Sequence, residues 1–147
     1  MNFIAKYFNE LSLSELYEIL KARSQIFIVE QRMHCQDIDG IDLTARHCFL
    51  EDDGKVLAYL RAFYEEDSKR IVRIGRVLSV THGIGLGAAL MEQAIEDIQK
   101  NMPCQTICLD SQKHAIGFYE KLGFETVSDE FLEEGVLHVR MERKVAM

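Results

Sequence analysis

The chain has 147 residues, a formal charge of −7 and 48% hydrophobic side chains. That length suits one domain burying roughly 70% of its unfolded surface, and the apolar content excludes disorder. The acidic balance argues against partners such as nucleic acid or an anionic membrane surface, and no apolar stretch approaches the ~20 residues that span a bilayer.

Phe3 to Phe8 reads as a first strand. Ser12 with Glu15 three residues on is a capping-box pattern that opens a helix. Its predicted buried face carries Leu13, Leu16, Tyr17, Leu20 and Ser24. The apolar patch Ile26-Phe27-Ile28-Val29 ends at Glu30-Gln31, and residues 32–44 read as an irregular connection. Strands follow at Arg46 to Glu51 and Val56 to Tyr64, joined at Asp53-Gly54, two residues that tolerate the positive φ of a tight hairpin. Ile71 to Ser79 is a further strand. Leu86, Leu90, Met91, Ala94, Ile95 and Ile98 recur at helical spacing, and that helix ends near Pro103. Thr106 to Leu109 reads as a buried strand, and Ala115 to Leu122 as a helix stopped by Gly123. Phe124 to Ser128 and Val136 to Glu142 are expected to close the chain as a hairpin. Strands and helices interleaved in this order predict a single α/β domain over 1–147, with a mixed central sheet of about six to seven strands flanked by helices.

The first residues lack the charged and apolar regions of a secretion signal, and Cys35, Cys48, Cys104 and Cys108 are read as free thiols. Both point to the reducing cytoplasm. His34-Cys35 with His47-Cys48 matches no zinc-ligand spacing, so no metal is expected.

The segment Val77-Leu78-Ser79-Val80-Thr81-His82-Gly83-Ile84-Gly85-Leu86-Gly87-Ala88 carries the chemistry. A strand feeds three alternating glycines that open directly into a helix. Glycine admits positive φ and lets a ligand approach without meeting a Cβ. The helix start offers unpaired N–H groups and a positive dipole end, a cradle for a phosphate or diphosphate. Gly83 to Ala88 also fits the G-x-G-x-x-A dinucleotide fingerprint, with Asp110 at a strand end about twenty residues on. Too little chain follows Asp110 for the further βα units of a dinucleotide domain, so this reading is secondary. No Gly-Lys-Ser/Thr follows, which excludes a Walker loop.

Downstream stands Phe118-Tyr119-Glu120-Lys121-Leu122-Gly123-Phe124. Together with the glycine loop it resembles the GNAT superfamily of acyl-CoA-dependent N-acetyltransferases, whose loop reads Arg/Gln-x-x-Gly-x-Gly/Ala before a later Phe-Tyr-Glu-Lys-x-Gly-Phe helix. Phe27-Ile28-Val29-Glu30-Gln31, Asp37-Ile38-Asp39-Gly40, Ile74-Gly75-Arg76-Val77, Ser111-Gln112-Lys113-His114 and Glu133-Glu134-Gly135-Val136-Leu137-His138 look like the ElaA-type branch.

The resemblance implies acetyl-CoA as cosubstrate and transfer of its acetyl group, by direct attack, to a primary amine on a small molecule or a protein. Gly83, Ile84, Gly85, Leu86, Gly87 and Ala88 are then expected to hold the CoA diphosphate. Val77, Leu78 and Ser79 pair with the pantetheine arm, one N–H polarising the thioester carbonyl. Tyr119 is the expected catalytic acid. A phenol with a pKa near 10 stays protonated at neutral pH beside a departing thiolate whose conjugate acid lies near 8.5. Glu30, His47 and His138 are candidates to take the amine's proton, with Glu30 carried as a catalytic residue because partial burial raises a carboxylate's pKa. Gln112 and His114 are expected beside the CoA arm, and Arg76 is expected to pair with a carboxylate in preference to binding an acidic group of the substrate. Phe118, Leu122 and Phe124 are expected in the core. Homodimers occur in the superfamily, so a homodimer is compatible with the resemblance.

Two departures stand out. His82 occupies the usual Arg/Gln position, and the connection from Arg76-Val77 to His82-Gly83 is about two residues short. They leave open a catalytically inactive acyl-CoA-binding module, besides the less favoured dinucleotide-binding oxidoreductase.

Overall fold

In the computed structural model, which describes residues 1–145, eleven strands and α-helices follow one another along the chain. They are β1 (Asn2–Tyr7), α1 (Leu13–Arg23), β2 (Arg46–Asp52), β3 (Lys55–Tyr64), β4 (Ile71–Ser79) and α2 (Leu86–Asn101), then β5 (Thr106–Gln112), α3 (Ile116–Glu120), β6 (Glu125–Thr126), β7 (Phe131–Glu133) and β8 (Val136–Lys144). The strands form one sheet in the order β1-β2-β3-β4-β5-β8-β6, with β7 also paired to β8. Every neighbouring pair is antiparallel except β4 with β5. A single parallel pair is not the doubly wound sheet of a dinucleotide domain, which removes the fold that the secondary reading requires.

Two apolar layers cover the sheet. On one face α2 buries Leu90, Met91, Ala94 and Ile98 against Leu60, Ile74, Leu109, Val139 and Met141. On the other, Ile19, Ala22, Ile26 and Phe27 pack on Phe49, Tyr59 and Leu78. Each of the Val, Leu, Ile, Met and Phe side chains among them stabilises the fold by about 1.5–3 kcal/mol on burial.

Local chemistry explains many boundaries. The Ser12 side chain accepts from Glu15 N–H while Glu15 accepts from Ser12 N–H, a complete capping box. Asp53 and Gly54 take φ of 51° and 77°, the paired positive values of a two-residue hairpin turn. Gly123, at φ 90°, ends the short helical stretch before β6.

Three expectations need correction. The buried side of α1 is Ile19, Ala22 and Arg23, while Leu13 and Tyr17 are exposed. The face is set by Arg23, which is drawn inward to Asp42 at 2.7 Å and Asp37 at 3.2 Å. The patch after it, Ser24–Glu30, winds as a π-helix. The hairpin partner of β8 is β7, across Glu134-Gly135, with φ of 50° and 74° in the turn. Lastly Phe118 is exposed and lies over Gly87, whereas Phe124 is core.

Candidate active site

A cleft is created where β4 and β5 part. They share only three parallel register pairs, the last being Arg73 with Cys108. Just beyond, β4 bulges: its register against β3 steps from Gly75↔Arg61 to Leu78↔Tyr59, and Arg76 takes φ 54°. Positive φ at a non-glycine costs of order 1–3 kcal/mol and persists only when its surroundings enforce it. Here the enforcement is ionic. Arg76 Nε donates to Asp37 Oδ1 at 2.9 Å, and its Nη2 reaches the Asp37 carbonyl at 3.2 Å.

Arg76 belongs to a larger network. Arg23 and Arg61 both donate to Asp42 Oδ1, at 2.7 and 3.0 Å, and Arg61 grips Asp39 through two bonds of 2.7 and 2.8 Å. Three arginines from α1, β3 and β4 thus fix the 32–44 connection against the sheet. The Arg61 hydrogen bonds hold the Asp39 carboxyl down at about 2. This clamp was only partly visible in sequence, where Arg76 was expected to pair with an unnamed carboxylate.

The parted strands open a cavity of about 360 Å³. Ile74, Gly75, Arg76 and Val77 of β4 face Leu109, Asp110 and Gln112 of β5 across it. Phe27, Gln31, Met33 and Cys35 close one side, while His114, Ala115, Tyr119, Glu133, Glu134 and His138 complete the lining. The volume is within the range of small-molecule sites.

Tyr119 projects from α3 into this lining. Its ring packs edge-on against Phe118 and Phe124, with centroids 5.0 and 6.0 Å away. It is 9% exposed, and among the described residues its hydroxyl has no hydrogen-bond partner. Burial alone pushes the phenol up to about 12, so it stays a proton donor throughout the neutral range.

The glycine loop leads away from the same strand. Gly83 and Gly85 have φ of 82° and 78°, and a Cβ at either would meet nothing within 4 Å. Gly85 is the N-cap of α2, and no side chain caps the helix. The first helical bond is Ala89 N–H to the Gly85 carbonyl, which leaves Leu86, Gly87 and Ala88 N–H without helical acceptors. Thr81 to Gly85, including His82 and Ile84, are exposed. Open space, free amides and a 16-residue helix dipole fit a diphosphate.

The proton-accepting candidates separate. Glu30 lies at the exposed end of the π-helical turn and does not line the cleft; its neighbours Phe27 and Gln31 do. His47 is fully buried, with Nε2 bonded to the Asp42 carbonyl at 2.9 Å and Nδ1 to Tyr59 hydroxyl at 2.6 Å. The carbonyl can only accept, so Nε2 carries the hydrogen and Nδ1 accepts from the phenol. Burial lowers the His47 pKa, keeping it neutral with both ring nitrogens occupied. Only His138 lines the cleft. Its Nδ1 donates to the Val136 carbonyl at 2.7 Å, which in the neutral ring leaves Nε2 as a bare lone pair, 3.8 Å from Glu133.

Gln112 and His114 border the cleft, joined by a 2.6 Å bond from His114 Nε2 to Gln112 Oε1. Asp110 is held by Arg73 at 2.8 Å. Cys48 and Cys108 are buried and Cys35 and Cys104 half-buried, all free, and burial pushes the Cys108 thiol up to about 12. Among the described residues no three His, Cys, Asp or Glu side chains converge as a metal-binding group, and no helix is long and apolar enough to cross a membrane.

Comparison with known proteins matches this geometry to a family. Residues 18–145 fit the acetyltransferase (GNAT) domain family. A UPF0039 protein of Schizosaccharomyces pombe is 39% identical over 145 residues, spanning 96% of this chain and 95% of its own. ElaA of Escherichia coli is 36% identical over 141 residues, 93% of this chain and 92% of that one. Its crystal structure superposes with a TM-score of 0.90 over 97% and 98% of the two chains, at 34% identity. An acyl-CoA N-acyltransferase from Pseudomonas aeruginosa superposes with a TM-score of 0.88 at 34% identity, over 97% and 99%. The chain belongs to the GNAT acetyltransferase family, with the ElaA and UPF0039 proteins among its relatives.

Proposed function

We propose that this GNAT-family chain moves an acetyl group from acetyl-CoA to a primary amine by direct attack. The observation that carries the reading is the parting of β4 from β5 beside an uncapped helix N-terminus, with an unbonded phenol in the gap. A strand edge left without its partner can pair with an extended amide-bearing arm, as pantetheine is. When bound, acetyl-CoA supplies the thioester; the protein supplies the rest.

Leu86, Gly87 and Ala88 N–H donate to the diphosphate, and Gly83 and Gly85 leave it room to approach, with Ile84 and His82 on the exposed rim. Val77, Leu78 and Ser79 receive the arm, with Gln112 across the gap. Val80 N–H donates to the Leu57 carbonyl of β3 at 2.9 Å. Strand alternation therefore turns the Ser79 N–H toward the free edge, where it can pair with the arm, and one N–H of the Val77 to Ser79 run polarises the acyl carbonyl. Tyr119 donates a hydrogen bond to the departing sulfur. His82 replaces a permanent cation or amide near the phosphates, so affinity rests on the helix amides.

Calorimetric titration with acetyl-CoA and with NAD tests the reading. Acetyl-CoA is expected to bind at micromolar concentration and NAD not to bind, with CoA thiol released once an amine is added. Binding of NAD without acetyl-CoA overturns the reading.

A further inference from the structure

Alternation along β8 separates the chemistry onto two faces of the sheet. Val139 and Met141 pack in the cluster that contains Tyr119, so His138 and Arg140 point to the opposite face. Register carries this into the hairpin. Phe131 pairs with His138 and Glu133 with Val136, so Phe131, Glu133 and His138 share that opposite face. The Phe131 ring stacks on His138 with centroids 6.0 Å apart.

Charge on this side of the cleft is one-signed. Arg76 is the one Lys or Arg in the lining, and Asp37 and Asp39 neutralise it. Among the described residues Glu134 has no cationic partner, and Glu133 has only the His138 ring at 3.8 Å. His138 is 5% exposed, and among the described residues its Nε2 has no hydrogen-bond partner and is left open at the cleft wall. An imidazole nitrogen open to the cleft with an idle lone pair, beside two carboxylates without cationic partners, is a site for a positively charged amine.

Resting on the transferase reading above, we infer that the acceptor enters on the face opposite Tyr119 and is a small diamine or polyamine. One ammonium lies at His138 Nε2 and a second against Glu133 and Glu134. The reacting ammonium first gives a proton to His138. Its nitrogen then bonds the thioester carbonyl carbon, the C–S bond breaks, and the electron pair leaves on sulfur under the Tyr119 hydrogen bond. The second proton lost by that nitrogen reaches the thiolate, giving CoA thiol and the N-acetyl amine. His138 returns its proton to solvent. The amine and its proton acceptor thus sit on one face of the gap and the hydrogen bond to the leaving sulfur on the other.

A matched series of four-carbon amines tests the inference: 1,4-diaminobutane, n-butylamine and 4-aminobutanoate, which carry a second positive, no and a negative charge. With saturating acetyl-CoA, kcat/KM is expected to fall about tenfold at each step of that order. The double variant Glu133→Gln, Glu134→Gln is expected to compress the spread to within about threefold, with acetyl-CoA affinity by calorimetry unchanged. His138→Gln is expected to lower kcat for all three amines by about 10²-fold. Acetyl-CoA that binds while the three amines react equally, in reverse order, or not at all overturns the acceptor assignment and leaves the cofactor assignment standing. Failure of acetyl-CoA to bind overturns the transferase reading itself.

Discussion

Tyr119→Phe isolates one hydroxyl. That hydroxyl has no hydrogen-bond partner among the described residues, and the ring's contacts with Phe118 and Phe124 survive the change. Stability should therefore move by less than about 1 kcal/mol. The catalytic magnitude follows from two acidities. The phenol is pushed up to about 12 by burial, whereas a thiol lies near 8.5. Full proton transfer to the thiolate runs uphill by about 5 kcal/mol, so Tyr119 acts by hydrogen bonding rather than by delivering its proton. A hydrogen bond to a charged group stabilises by about 1.5–3 kcal/mol. The expected loss in kcat is accordingly about 10–150-fold, with acetyl-CoA affinity within twofold. Single-turnover thiol release with an amine that the parent protein acetylates is the assay, since it reads chemistry free of product release. An unchanged rate removes Tyr119 from the reaction; a loss beyond about 10⁴-fold contradicts the hydrogen-bond argument.

Gly85→Val places a branched side chain at φ 78° where no protein atom lies within 4 Å. It should cost about 1–2 kcal/mol of backbone strain yet abolish acetyl-CoA binding in calorimetry. Retained affinity in a folded variant contradicts the diphosphate placement. Gly87→Ala has the opposite signature. Its Cβ would touch Phe118 at an ordinary 3.5 Å, so the helix should gain about 0.5 kcal/mol with acetyl-CoA affinity kept; a lower melting temperature would contradict that packing. Asp42→Asn leaves Arg23 and Arg61 buried against a neutral side chain. A loss of about 3 kcal/mol by chemical denaturation is expected, and a change below about 1 kcal/mol would show that the clamp does not hold the 32–44 connection. Hydrogen bonds from Arg140 and from Arg61 hold Glu65 and Asp39 at about 2 each. Both sit below their unfolded values, so their stabilisation is complete above about pH 4.5. It is lost as pH falls toward 2, and a denaturation midpoint flat from pH 5 to pH 2 would contradict these pairings.

Features written locally are legible in the sequence. Ser12 and Glu15 announce a cap because both partners lie within one helical turn, and Asp53-Gly54 announces a hairpin because the φ demand belongs to those two residues. The Gly83–Ala88 cradle is equally local. Features set by distant partners were not legible. The buried face of α1 depends on Arg23 meeting Asp42, 19 residues on, so Leu13 and Tyr17 misdirected a purely apolar count. The bulge at Arg76 depends on Asp37, 39 residues earlier, and no propensity of arginine signals positive φ. Glu30 and His138 looked alike as proton acceptors. What separates them is the β7–β8 register and one bond to the Val136 carbonyl, which fixes the ring of His138. The run Glu133-Glu134-Gly135 contained the signal for that hairpin, an acidic residue and a glycine fit for a two-residue turn.

Transfer across the gap between β4 and β5 is the premise beneath these predictions, and a crystal structure grown with CoA tests it most directly. The account predicts diphosphate oxygens within about 3.2 Å of the Leu86, Gly87 and Ala88 nitrogens, and the sulfur within about 4 Å of the Tyr119 hydroxyl oxygen. A diphosphate seated elsewhere, or a sulfur on the far side of β4 from Tyr119, contradicts it.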